Sequence, residues 1–131
     1  MPHLTVEFSS NLAEVADMSA LCQALRRTLL ESGLFELGAV RVRAMGADHY
    51  AIADCHPDNA FADIRLRLGQ GRSESERKAL GARLMEVASD HFAGQLSAPH
   101  FALSLEIVEI DARFSWKNNA IHPRTRGANK T

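Results

Sequence analysis

The sequence predicts an α+β fold: two consecutive β-α-β units that form one mixed sheet, with two antiparallel helices on the same face. Several short stretches alternate apolar and polar residues, which is the period of a half-buried strand. Two longer stretches have helical periodicity and side chains suited to begin and end a helix. Because strand, helix and strand follow one another twice along the chain, we expect both units to share one sheet.

The length of 131 residues suits one hydrophobic core. We therefore expect a single domain over residues 1–131, with pseudo-repeats at about 1–58 and 59–113 and a C-terminal tail over 114–131. The apolar share of 46% and the charged share of 24% are typical of a soluble globular protein.

Charge and composition exclude several classes of partner. A net charge of −1 argues against the broad basic surface that nucleic acid or an anionic membrane would require. No apolar run approaches the roughly 20 residues of a membrane span, and the N-terminus lacks a signal pattern. The two cysteines do not form a secreted disulfide framework. We expect a cytoplasmic protein that binds neither nucleic acid nor membrane.

The first strand is predicted from Pro2 to Phe8, with Leu4, Val6 and Phe8 on its apolar face. Pro2 has the same parity as these residues, so its nitrogen is expected beside the core. The first helix is predicted from about Asp17 to Ser32. Its inner stripe would be Met18, Leu21, Cys22, Leu25 and Leu29.

Local signals define the ends of this helix and the strands that follow it. Asp17 or Ser19 serves as the N-cap, and Gly33 ends the helix. Residues 39–45 alternate again, which predicts a second strand with Val40, Val42 and Ala44 facing inward. A further short strand is predicted over residues 50–53.

The second unit repeats this plan. An alternating strand over residues 61–68 is followed by a glycine-rich turn over residues 69–72. Ser73 and Glu76 form an S-x-x-E capping box that opens a helix to about Phe92. Its inner face would be Leu80, Leu84, Val87, Ala88 and His91. Residues 101–110 form the closing strand.

Two helices on one side of the sheet leave its other face open. The residues expected there are Thr5, Arg41, Arg43, Arg65 and Ala102, a mixed set with few large apolar groups. An oligomer that buries these faces around an axis is expected.

The aromatic residues Phe114 and Trp116 of the tail also need a covering surface, and a neighbouring subunit is one candidate. Residues 124–131 are predicted to be disordered.

Metal and thiol chemistry find little support. The six histidines and two cysteines show no zinc-site spacing, so no metal is expected. Cys22 falls on the inner stripe of a helix, and nothing marks Cys55 as an activated thiolate. The turn from Gly69 to Arg72 lacks the Lys-Ser/Thr pair of a phosphate loop, which argues against nucleotide binding.

The candidate catalytic group is the main-chain nitrogen of Pro2. A small second residue normally allows Met1 to be removed, which leaves Pro2 with a free secondary amine. A terminal amine has an ordinary pKa of about 7.7–8.0, and burial or nearby positive charge lowers it. An amine whose pKa lies near the working pH is an effective general base.

Arginines are the candidate partners of this amine. A guanidinium binds a carboxylate through two parallel hydrogen bonds, which fixes orientation as well as charge. Arg41 lies on a predicted strand, and the glycines flanking Arg72 allow unusual backbone angles that would aim its side chain at a site. Arg43, Arg65 and Arg67 are interpreted as solvated surface charge.

Several motifs together resemble a known family. They are Pro2-His3-Leu4-x-Val6-Glu7, the stretch from Gly33 to Arg43, Leu68-Gly69-x-Gly71-Arg72-Ser73, Ser104-x-Glu106 and Phe114-x-x-Lys117-x-Asn119. The chain thereby resembles the 5-carboxymethyl-2-hydroxymuconate isomerase family of the tautomerase superfamily. The N-terminal proline combined with the Gly-x-Gly-Arg-Ser turn is the most specific part of the resemblance.

The resemblance implies a trimer of two fused β-α-β units that uses neither cofactor nor metal. It implies that Pro2 is the base and that Arg41 and Arg72 bind and polarise the substrate. That substrate would be a small anionic dienol, an unsaturated 2-hydroxy di- or tricarboxylic acid formed in homoprotocatechuate breakdown, whose double bond is moved. Which arginine polarises and which anchors stays open.

Two alternatives remain at this point. One is an enzyme of the same fold that decarboxylates, hydrates or dehalogenates small unsaturated acids. The other is a trimeric binding protein that keeps the fold without catalysis.

Overall fold

The structure is a computed structural model that describes residues 1–128. Its strands form one mixed four-stranded sheet in the order β2-β1-β3-β4. The strands are β1 (His3–Ser9), β2 (Arg41–Ala47), β3 (Ala60–Gly69) and β4 (Phe101–Ile110). Each β-α-β unit contributes one parallel pair, β1 with β2 and β3 with β4, and the antiparallel pairing of β1 with β3 joins the units. The predicted fold class is confirmed.

Two long helices, α1 (Met18–Glu31) and α2 (Glu74–His91), pack against each other and against the sheet. Asp17 caps α1 by accepting a hydrogen bond from the N–H of Ala20 at 2.9 Å. At the start of α2 the predicted capping box is present in both directions, between Ser73 and Glu76. Two shorter helices follow, α3 (Ala93–Leu96) and α4 (Ile121–Ala128), and single 3-10 turns occur at Ser10–Glu14, Leu37–Ala39 and Ala112–Phe114.

The core lies between the helices and one face of the sheet. Of the predicted helix stripes, Met18, Cys22, Val87 and His91 are only partly buried. The buried side chains include Leu4 and Val6 of β1, alternate residues of β3, and Leu21, Leu25, Leu29, Leu80, Leu84 and Ala88 of the helices. Pro2 is buried with them, as its parity predicted. On the opposite face Thr5 lies between Arg43 and Arg65.

The predicted short strand over residues 50–53 is wrong. Ala53 and Cys55 have positive φ angles of 51° and 63°, which an extended strand does not allow. The side-chain amide of Asn59 donates to the carbonyl of Ile52 at 3.2 Å and to Oδ1 of Asp54 at 2.8 Å. These hydrogen bonds hold the segment as a turn rather than a strand.

The predicted disorder over residues 124–131 is also wrong up to residue 128, where the chain is helical; residues 129–131 lie outside the described residues. Oδ1 of Asn119 accepts hydrogen bonds from the N–H groups of Ile121 and His122, which begins α4. Thr125 is buried where α4 packs on the turn Leu37–Ala39. Long-range packing orders this segment, and its composition gives no sign of it. Within residues 1–128, none of the helices has the length and apolar character needed to cross a bilayer.

Candidate active site

The N-terminus lies where β1, β2 and β3 begin or end together. The carbonyl of Pro2 accepts a hydrogen bond from the N–H of Arg41 at 3.2 Å, which ties the start of β1 to the start of β2. On the other side, a Cβ placed on Gly69 would lie 3.9 Å from the nitrogen of Met1. The antiparallel register of β1 and β3 therefore brings the first residues of the chain beside the glycine-rich turn.

Arg41 lies next to Met1. Its Nη1 donates to the carbonyl of Ala39 at 2.9 Å and contacts Sδ of Met1 at 2.7 Å. The carbonyl contact fixes one side of the guanidinium. Removal of Met1 would leave this donor of Arg41 open.

Arg72 is held more firmly. Nη1 donates to the carbonyl of Gly69 at 3.2 Å, and Nη2 donates to the carbonyl of Leu34 at 2.9 Å. The guanidinium carbon lies 4.8 Å from the centre of the Phe35 ring, within the range of a cation–π contact. Gly71 has a φ of +117°, a conformation that other residues rarely adopt, so unusual backbone angles are found at Gly71 but not at Gly69. The side chain is thereby pre-oriented.

Two cavities meet at Met1. The first, of about 470 Å³, is lined by Arg72, Phe35 and residues of the C-terminal segment. The second, of about 620 Å³, is lined by His3, Arg67 and the chain after β4. Met1 and Lys117 line both. Met1 thus borders two cavities whose charged side chains are mostly basic.

This environment destabilises the protonated N-terminal amine. The pKa of the Met1 amine is lowered from its ordinary value of 8.0, first by burial and then by the positive charges of Lys117, Arg72 and Arg41. The pKa of His3 is also lowered, first by burial and then by nearby arginines, Arg67 foremost. Positive charge therefore dominates this end of the sheet.

The C-terminal segment forms one wall of the first cavity. The side-chain amide of Asn119 donates to the carbonyl of Gly38 at 3.0 Å. A Cβ on Gly38 would lie 2.8 Å from Oγ1 of Thr125, so only glycine allows α4 to approach this closely. Arg126 and Glu36 form a bidentate ion pair with distances of 2.7 and 2.8 Å. The wall is therefore anchored at three points.

The structure brings together all three residues singled out in the sequence, Pro2, Arg41 and Arg72, around Met1. Sequence reasoning assigned no role to Lys117, which the structure places at the same point. The only signal for Lys117 was its position in a motif of the family resemblance.

A separate cluster lies outside these cavities. His56, Asp58 and His100 bring potential metal-ligand atoms within 4.8 Å of one another. However, the two imidazole rings stack with their centres 4.2 Å apart, and Nδ1 of His56 accepts a hydrogen bond from the N–H of Asp58. Stacked rings direct their nitrogens side by side rather than towards a common point, so we assign no metal centre here.

Comparison with known proteins gives a consistent result. The family model described as 5-carboxymethyl-2-hydroxymuconate isomerase matches residues 2–125. The 5-carboxymethyl-2-hydroxymuconate Delta-isomerase of Escherichia coli is 36% identical over 122 residues, which are 93% of this chain and 97% of that protein. The crystal structure of a 5-carboxymethyl-2-hydroxymuconate isomerase from Deinococcus radiodurans R1 has a TM-score of 0.88 and 41% identity, covering 94% of this chain and 92% of that chain. A fused 4-OT symmetric trimer has a TM-score of 0.65 at 13% identity, over 88% of this chain and 93% of that chain, which shows a shared fold alone.

Proposed function

The chain belongs to the 5-carboxymethyl-2-hydroxymuconate isomerase family and is an isomerase of that type, and we propose that the amine of Pro2 transfers the proton. The substrate class is an unsaturated 2-hydroxy di- or tricarboxylic acid, with 5-carboxymethyl-2-hydroxymuconate as the first candidate. The observation that carries this proposal is the meeting of two basic cavities at the N-terminus.

The proposed reaction needs only one proton carrier. Once Met1 is removed, the neutral amine of Pro2 accepts the proton of the substrate 2-hydroxyl group. The electron pair of the O–H bond forms a carbonyl, the double bonds shift along the chain, and the ammonium returns the proton to a distant carbon. The substrate is isomerised with no net gain or loss of atoms or electrons.

The two arginines take different parts in this proposal. Arg72 is held by two carbonyls and the Phe35 ring in the first cavity, which suits it to anchor a remote carboxylate in one orientation. Arg41 lies against Met1 itself, so in the processed chain its free donor would face the reacting end of the substrate. There it would stabilise the negative charge that develops on the oxygen.

The direct test is turnover. We expect the processed protein to convert 5-carboxymethyl-2-hydroxymuconate to its keto isomer, in which the remaining double bond is conjugated with the new carbonyl. The conversion is followed by ultraviolet absorbance, with intact mass measured in the same preparation. Conversion should need no added metal and should persist in a chelator. Decarboxylation or dehalogenation of small unsaturated acids without isomerisation would contradict the proposal, and mass spectrometry of the products separates these outcomes.

We also propose that the protein is a homotrimer. The sheet face opposite the helices has no covering element within residues 1–128, and Trp116 is 85% exposed and Phe114 69% exposed in the isolated chain. Burying these surfaces against neighbouring copies would remove apolar area from water.

Trp116 reports on this assembly because it is the only tryptophan in the chain. We expect sedimentation analysis to give three times the 14.4 kDa mass of the chain. Trp116 emission should shift to longer wavelength on dissociation. A monomer at micromolar concentration, or emission typical of an exposed indole in the assembled protein, would contradict the proposal.

A further inference from the structure

Lys117 occupies a distinctive position at the proposed site. It lines both cavities that meet at Met1, whereas Arg72 lines only the first and Arg67 only the second. The chain that carries Lys117 is held on its C-terminal side, where Asn119 donates to the carbonyl of Gly38. The ammonium group is therefore presented at the junction of the cavities by an anchored stretch of backbone.

The arginines of the first cavity already form hydrogen bonds within the chain. Arg126 is paired with Glu36 through two hydrogen bonds, and two guanidinium nitrogens of Arg72 donate to main-chain carbonyls. The second cavity has no carboxylate side chain in its lining. Among the ion pairs formed within residues 1–128, none involves Lys117. Its charge is thus available to an anionic ligand.

A substrate with several carboxylates needs a cation for each of them, placed around one reacting centre. In the proposed reaction Arg72 and Arg41 supply two, and Lys117, at the junction of the cavities, would supply the third. A lysine ammonium on its flexible side chain can bind the carboxylate of a mobile branch, because it does not require the carboxylate to lie in a fixed plane. We infer that Lys117 is a substrate-binding residue that recognises the third carboxylate and so selects tricarboxylates over dicarboxylates.

This inference rests on the proposed function, and it has a second consequence. The positive charge of Lys117 contributes to the lowered pKa of the terminal amine, after burial and ahead of Arg72 and Arg41. The other titratable or charged groups lining the cavities are His3 and Arg67 in the second, and Glu36, His122 and Arg126 in the first. The Pro2 amine of the processed chain would lie beside the same Lys117 charge, so removing that charge should raise the pKa of this amine, even without substrate.

The test compares Lys117→Gln with Lys117→Arg, and uses Lys78→Gln as the matched control because Lys78 is an exposed lysine of α2 outside both cavities. We expect Lys117→Gln to raise KM for 5-carboxymethyl-2-hydroxymuconate by about tenfold to a hundredfold, the value of one charged hydrogen bond. KM for 2-hydroxymuconate, which lacks the carboxymethyl branch, should change little. Lys117→Arg should recover most of the affinity, and Lys78→Gln should behave as the parent protein.

A readout independent of turnover separates this inference from the proposed function. NMR titration of the Pro2 amine in the processed protein should give a higher pKa in Lys117→Gln than in the parent or in Lys78→Gln. Equal amine pKa values, or an equal rise in KM for both substrates, would overturn the role of Lys117. A parent protein that turns over neither acid would overturn the proposed function, and calorimetric binding of the tricarboxylate to parent and variant would then decide the role of Lys117.

Discussion

Blocking the amine of Pro2 is expected to lower kcat/KM by about 10²–10⁴-fold, the usual contribution of a general acid–base group. The blocked form is a chain in which Met1 is retained. The nitrogen of Pro2 is then a tertiary amide, which can neither accept a proton nor return one. The structure adds a steric reason: Met1 borders both cavities, and its Sδ lies 2.7 Å from Nη1 of Arg41. Kinetics on forms separated by intact mass measure the effect.

The pH dependence identifies the group. Burial and the charges of Lys117, Arg72 and Arg41 lower the pKa of the Met1 amine. The Pro2 amine of the processed chain would lie beside the same charges, so we expect its neutral form to persist to lower pH than in a free amine. The kcat/KM of the processed protein should therefore rise with pH as the amine loses its proton, with a midpoint below the ordinary value of about 7.7–8.0.

Pro2→Ala provides the matched comparison, since it keeps an N-terminal amine after processing but makes it primary. We expect lower activity with the fold retained, as judged by circular dichroism. If the Met1-retaining form and the processed form turn over substrate equally, Pro2 is not the base. A pH profile that follows a carboxylate would lead to the same conclusion.

Arg72→Ala is expected to lower kcat/KM by about 10²-fold or more, comparable to the loss of a charge-stabilising group in other enzymes. Truncation removes a cation from the first cavity together with the hydrogen bonds that orient it, to Gly69 and Leu34. The substrate would lose an anchored carboxylate, and with it the alignment of the reacting carbon with the amine. Steady-state kinetics on the tricarboxylate measure the loss.

Two further variants separate catalysis from stability. Arg83→Ala removes an arginine of α2 whose only ion pair within residues 1–128 is a surface contact with Glu86, so its activity should be unchanged. Arg72→Lys keeps the charge but loses the bidentate geometry, and should retain only part of the activity. Urea unfolding of each variant shows whether the fold is intact. Near-normal turnover by a folded Arg72→Ala protein would exclude Arg72 from substrate binding.

The elements that the sequence predicted correctly depend on neighbouring residues. The alternation of Leu4, Val6 and Phe8 defines the buried face of β1, and the same parity placed Pro2 in the core. The capping box of α2 involves residues only three positions apart, so both of its hydrogen bonds were readable from the sequence. Strand alternation and helix capping depend on residues close together in the sequence, and both are found in the structure as predicted.

The elements that were missed depend on distant residues. The turn over residues 50–53 is held by the Asn59 side chain. The positive φ angles occur at Ala53 and Cys55, which are not glycines, so the sequence does not predict them. Helix α4 is short and contains Pro123 and Gly127, which argue against a helix; its packing on Gly38 stabilises it all the same. In both cases contacts across the fold outweigh local preference.

The candidate site shows the same division. The residue pattern alone was enough to single out Pro2, Arg41 and Arg72, because each carries its own chemical signature or lies in a recognisable motif. Lys117 and Met1 lie where the two cavities meet. Strand register and the docking of the C-terminal segment place them there. Periodicity and side-chain chemistry are properties of the sequence itself. The electrostatic field at the N-terminal amine is the sum of charges from residues that only folding brings close to it.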